Sequence, residues 1–210
     1  MELSERLKSI KNKLEELRKK DKEMKIFGAG DDQFFGTIGH HYELNPVLSE
    51  EEILAVEKKL EIKLPEEYRA FIKELGNGGA GPAWGLFTLE KSYPEDEFLK
   101  DYPHFCSMTC DYGDDYANGI RGQKLKDPYY MEVVDGFGGF LKLSDYGHQM
   151  TAYMVVGGDQ QVGKMWFLDE DGDQLKIAPM MKSGDDWQVS FLDWYEGWLE
   201  ESFAELEKAK

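Results

Sequence analysis

An α+β fold, with helices flanking a central antiparallel sheet, is the architecture this sequence predicts. Two amphipathic helices follow one another before residue 76. Short apolar runs punctuated by turn residues span 84–177, and another amphipathic helix closes the chain.

Each element has its own signal. In residues 3–20, Leu3, Leu7, Ile10, Leu14 and Leu17 recur at alternating spacings of four and three, which makes a narrow apolar seam. So short a seam is expected to dock on the body of the protein rather than to pair with a second chain. Residues 26–48 are glycine-rich and predict loop with short strands, anchored by Phe27, Phe34, Phe35 and Ile38. Ser49 and Glu52 form a capping box, and Ile53, Val56 and Leu60 supply the buried face of a helix ending near Leu60. Glu61-Ile62-Lys63 then leads into a second helix, completing a helical hairpin.

The second helix opens the most informative stretch, LPEEYRAFIKELGNGGAGPAWGLF at 64–87. Pro65 is expected at the first helical position, where its missing N–H costs nothing. Glu66 and Glu67 complement the helix dipole. Tyr68, Phe71, Ile72 and Leu75 form one stripe, and Gly76 is expected to end the helix in the left-handed conformation. The glycines from Gly76 to Gly81 spell G-x-G-x-x-G, but in reversed context. A dinucleotide site needs a strand before the glycines and a helix N-terminus after them. Here a helix C-terminus, with its partial negative charge, would face the phosphates. Four glycines in six residues, Gly78 and Gly79 among them, point instead to close backbone approach.

Strands are expected at Trp84–Leu89, Tyr130–Val134, Gly139–Leu143, Thr151–Val156, Lys164–Leu168 and Leu175–Ile177. Asp135-Gly136 is expected to join the second and third of these, and Asp171-Gly172 the last two. The closing helix covers Val189–Ala209, with Phe191, Tyr195, Trp198, Leu199, Phe203 and Leu206 on its apolar side.

Composition narrows the function. At 210 residues and 41% hydrophobic, the chain can bury one sizeable core. It holds no apolar run long enough to cross a membrane, and its charged N-terminus lacks the apolar region of a signal peptide. With only Cys106 and Cys110, a reduced, cytoplasmic chain is expected. The net charge is −17, unevenly placed. Residues 1–25 carry nine Lys+Arg against six Asp+Glu, leaving sixteen basic and thirty-six acidic residues, net −20, for the rest. Such a body is unsuited to nucleic acid and suited to a basic partner.

Catalytic and metal motifs are weak. Asp169–Asp173 resembles the start of a calcium loop, but positions six and twelve are Gln174 and Met180 rather than Gly and Glu. His104, Cys106 and Cys110 make one ligand cluster where structural zinc needs four ligands, usually in two pairs. A Cys/His pair using His40, His41, His104 or His148 as base lacks any local feature that activates the thiol. No nucleophile elbow and no Walker loop is present. No catalytic residue, cofactor or metal is therefore assigned. The stronger candidate is the tyrosine-bearing acidic stretch at about 93–128. Asp96, Asp101, Tyr102, Asp111, Tyr112, Asp114, Asp115 and Tyr116 combine contact area with carboxylate steering, as a binding surface for a basic protein would.

Several of these segments together resemble the SUKH superfamily, which includes yeast cell-wall-assembly regulators and bacterial immunity proteins. The matching pieces are LSEEEI at 48–53, LPEEYRAF at 64–71, GNGG at 76–79, DYGHQM at 145–150, the Val-Val-Gly-Gly strand end, KMWF at 164–167 and SFLDWYEGWL at 190–199. They run in order over about 46–200. The resemblance implies a domain at 46–210 carrying the acidic insertion, preceded by a helical extension at 1–45. Pro65, Tyr68, Phe71, Gly76, Gly78, Gly79, Trp84, Trp166 and Trp194 are its structural signature. It implies a non-enzymatic role, binding and neutralising a cognate toxin, often a nuclease and hence basic. The alternatives are a regulatory scaffold for an endogenous protein and, third, a hydrolase. Monomer and dimer are both open.

Overall fold

A computed structural model describes residues 2–32, 36–93, 129–132, 139–157, 162–171, 174–180 and 188–208. The helices are α1 (Leu3–Lys20), α2 (Glu50–Leu60), α3 (Glu66–Glu74) and α4 (Phe191–Lys208), with a short 3₁₀ turn at Leu89–Lys91. The strands are β1 (Tyr129–Glu132), β2 (Phe140–Gly147), β3 (Met150–Val155), β4 (Met165–Asp171) and β5 (Gln174–Pro179). All pairings are antiparallel, in the order β1-β5-β4-β3-β2. The α+β architecture predicted from the sequence is the one observed.

Each helix begins where its residues direct. The Ser49 hydroxyl accepts from the Glu52 N–H at 3.2 Å, and the Glu52 carboxylate accepts from the Ser49 N–H at 2.8 Å. Pro65 is extended, with φ −54° and ψ 138°, and precedes α3 as its cap instead of occupying the first turn. The seam of α1 is built into the core: Leu7, Ile10, Leu14 and Leu17 are all buried. They share one apolar cluster with Phe71 and Ile72 of α3, Leu141 and Leu143 of β2, and Phe191, Leu192 and Tyr195 of α4. Phe191 stands edge-on to Tyr68 at 5.1 Å and to Phe71 at 5.2 Å. Trp166 on β4 is also fully buried.

Arg6 fastens the helices at their ends. Its guanidinium donates to Glu67 at 3.0 Å, Asp193 at 2.7 Å and Glu196 at 2.7 Å, joining α1, α3 and α4. Burial opposes its charge, but the hydrogen bonds to Glu196 and Asp193 outweigh it and raise the pKa. The other oxygen of Glu67 accepts from the Leu192 N–H at 3.0 Å, satisfying a donor in the first turn of α4.

Several expectations are corrected. Trp84–Leu89 is not a strand: Leu86 makes only isolated bridges to Gly79 and Ser144, and the chain then turns into the 3₁₀ segment. Asp135 and Gly136 lie outside the described residues, and the strands on either side of them, β1 and β2, are opposite edges of the sheet and not a hairpin pair. Phe27 and Ile38 are not core anchors; they are 55% and 77% exposed. Phe34 and Phe35 lie outside the described residues. Asp169, Glu170 and Asp171 are strand residues, with Asp169 opposite Lys176 and Asp171 opposite Gln174, whereas Gly172 and Asp173 lie outside the described residues.

Candidate functional site

The glycine loop after α3 is a packing joint, and the reason for its glycines differs from position to position. Gly76 is not left-handed; the α3 end is right-handed at Leu75, and the Gly76 N–H returns to Phe71 O at 3.1 Å. A side chain at Gly76 would instead strike Asn45 O at 2.6 Å and Leu44 Cβ at 2.7 Å. Gly78 and Gly79 do adopt positive φ, 82° and 99°, and a Cβ on them would strike Phe87 O at 2.6 Å and Glu43 O at 2.5 Å. Gly79 bridges to both Leu44 and Leu86. The Asn77 side chain accepts from the Leu89 N–H at 2.8 Å, and the Tyr195 hydroxyl donates to Ala80 O at 2.7 Å. The loop thus binds α4, the 43–45 segment and the 86–89 segment.

Beyond that joint three irregular segments converge. The first is an arch, in which His40 and His41 donate to Gly28 O and Ala29 O, both at 2.9 Å. The second is the tight turn Pro82–Gly85. The third is the end of the β2–β3 hairpin, where Gly147 pairs with Met150 across His148 and Gln149. Gly28 lies so close to Ala83 O that a Cβ there would sit at 1.7 Å. The Trp84 N–H donates to Asp145 O at 3.3 Å, and Ser144 donates to Pro82 O at 2.7 Å. The Trp84 indole packs on Phe27 with centroids 4.8 Å apart, and its Nε1 lies 3.9 Å from where a Gly147 side chain would begin.

The aromatic contacts continue onto α4. Tyr146 meets Phe167 edge-on at 5.3 Å and accepts from Trp194 Nε1 at 3.3 Å. Burial raises the Tyr146 pKa, and the nearby Glu201 carboxylate adds to the shift. His40, buried beneath the arch, accepts from the Tyr42 N–H through Nδ1 at 3.1 Å, so its proton is on Nε2. Nε2 has no hydrogen-bond partner among the described residues, and the ring packs perpendicular to Trp198 at 5.6 Å. Burial, and secondarily His41, depress its pKa to about 4. A neutral, enclosed ring of this kind is structural.

Of the residues singled out from sequence, Pro65, Tyr68, Phe71, Gly76, Gly78, Gly79, Trp84, Trp166 and Trp194 are all placed, on the helical hairpin, the joint, the Pro82–Gly85 turn, the sheet and α4. Asp96, Asp101, Tyr102, Asp111, Tyr112, Asp114, Asp115 and Tyr116 lie outside the described residues, as do His104, Cys106 and Cys110. The family model of the SMI1 / KNR4 family (SUKH-1) matches residues 47–187, which run from the residues before α2 through the joint and the whole sheet. The chain belongs to the SMI1/KNR4 family. No curated protein and no solved structure matches it. The SUKH-1 match includes the joint, the Pro82–Gly85 turn and the β2–β3 hairpin, whereas α1 and the arch up to His41 precede it. The arch was missed in the sequence because nothing in Phe27-Gly28-Ala29 announces that Gly28 must admit a carbonyl.

Proposed function

We propose that this chain is a cytoplasmic immunity protein that binds and neutralises a cognate, basic, nuclease-like toxin without catalysing a reaction. The carrying observation is charge: after residue 25 the chain is net −20. A nuclease needs a basic surface to hold its polyanionic substrate, and an acidic protein of this strength is steered onto such a surface at high rate. Family membership supports a protein-binding role. No described helix is long and apolar enough to cross a membrane. The outer face of α4 adds to the acidic surface, with Glu200, Glu201, Glu205 and Glu207 all exposed. In this proposal Asp96, Asp101, Asp111, Asp114 and Asp115 supply charge, and Tyr102, Tyr112 and Tyr116 supply contact area.

The test is co-expression with the product of the adjacent gene. Growth arrested by that product alone and restored by this chain is the expected result. Arrest that persists despite soluble, folded chain would refute the proposal.

A further inference from the structure

We infer that the junction around Trp84 is a second contact surface for the basic partner, receiving a cationic, apolar-flanked segment of that protein. The inference rests on the immunity proposal and assigns part of its interface to described residues.

Three observations carry it. The arch exposes two of the five large apolar side chains that are exposed among the described residues, Phe27 and Ile38. Phe27 lies on the half-buried Trp84, so an aromatic pair faces outward instead of closing into the core. Singly scattered apolar residues need no explanation, but an aromatic pair turned outward, on an arch that also exposes Ile38, marks a contact surface.

The backbone is held in an uncommon state at this same place. Among the described residues, seven that are not glycine have positive φ. Four of them, His41, Ala83, His148 and Gln149, belong to the three converging segments, and a fifth, Tyr42, directly follows the arch. The His148-Gln149 pair has the two left-handed residues of a type I′ turn without the glycine or asparagine that makes that turn inexpensive. Such strain persists only where the surroundings enforce it, and it gathers where a shape is presented to a ligand.

Charge selects the occupant. Asp31 is on the arch, with its side chain 60% exposed, and Asp145 leads into the hairpin turn. Asp31 holds His41 at 2.9 Å, and Asp145 holds the Gly147 N–H at 2.7 Å, so both carboxylates are already oriented. Asp31 lies four residues from Phe27 on the arch, and Asp145 accepts the Trp84 N–H at its backbone carbonyl, so the junction suits a guanidinium or ammonium group whose stem covers the rings while its charge meets the acids. A neutral apolar partner would desolvate these carboxylates and bring no charge to offset that cost.

The experiment measures binding of the adjacent gene's product, in a catalytically inactivated form, to wild-type chain and to the Phe27→Ser/Ile38→Ser double variant. Both positions are exposed, so the variant should keep the wild-type melting temperature. At least tenfold weaker binding by the folded variant is expected. Wild-type binding with no loss in the variant would overturn this inference and leave the immunity proposal standing. No binding by the wild type would overturn both. If the variant fails to fold, hydrogen exchange on the wild-type complex decides the matter. Slowed exchange at 27–41 and 83–85 supports the surface, and unchanged exchange there overturns it.

Discussion

Residue by residue, the fold depends on a few side chains whose environment admits one state only. Asp21 is buried and accepts from the Lys25 and Ile26 N–H groups at 2.8 and 3.0 Å and from the Tyr42 hydroxyl at 2.6 Å. Burial alone would raise its pKa, but the Tyr42 and backbone hydrogen bonds outweigh it and lower the value. His40 is the opposite case, kept neutral with its pKa depressed to about 4. Between the ordinary histidine value of about 6.5 and that value, the unfolded chain takes up a proton that the folded chain refuses. The His40 contribution is therefore complete above about pH 6.5, falls as the pH drops toward 4, and is level below that. Urea unfolding of wild type and His40→Phe at pH 7 and pH 4.5 checks it. The variant leaves the Tyr42 N–H without its acceptor and is less stable at pH 7. It should nevertheless lose roughly 2 kcal/mol less than wild type across the window. Parallel losses would place the acid sensitivity elsewhere.

Among the elements, α1 is the one whose sequence signal understated its role. Five apolar residues at alternating spacing predict docking, and the structure puts four of them in the central cluster with Arg6 tying the helix end to α3 and α4. Ile10→Ala removes a fully buried side chain and should cost about 2–5 kcal/mol in denaturant unfolding, as for other buried truncations. A cost below about 0.5 kcal/mol would mean that α1 is dispensable. Helices were legible because the 3.6-residue period, the Ser49–Glu52 box and Leu64-Pro65 are local facts. Strand positions were legible for the same reason, since β2 to β5 alternate or carry turn residues at their ends. Strand order was not: β1 pairs with β5 at the far edge, a choice no local pattern near Asp135-Gly136 encodes. Gly76 illustrates the remaining gap. Its place after α3 suggested a left-handed cap, whereas Leu44 and Asn45, some thirty residues earlier, are what exclude a side chain. The exposed Phe27 and the left-handed Ala83 were equally out of reach, because both depend on the meeting of distant segments.

For the molecule as a whole, the signature residues and the acidic charge divide the work. Phe71 and Trp166 are buried, and Gly78 and Gly79 leave no room for a side chain, so these residues serve the interior. The charge after residue 25 is far larger than folding requires, and a field of that strength acts on encounter with a partner. The most direct test of the central claim is the association rate constant with the adjacent gene's product, measured against ionic strength. It should be compared with that of the Asp111→Lys/Asp114→Lys/Asp115→Lys variant. The rate should fall steeply with salt for wild type, and should be slower with shallower salt dependence for the variant. A rate constant indifferent to salt and unchanged by the three reversals would contradict it.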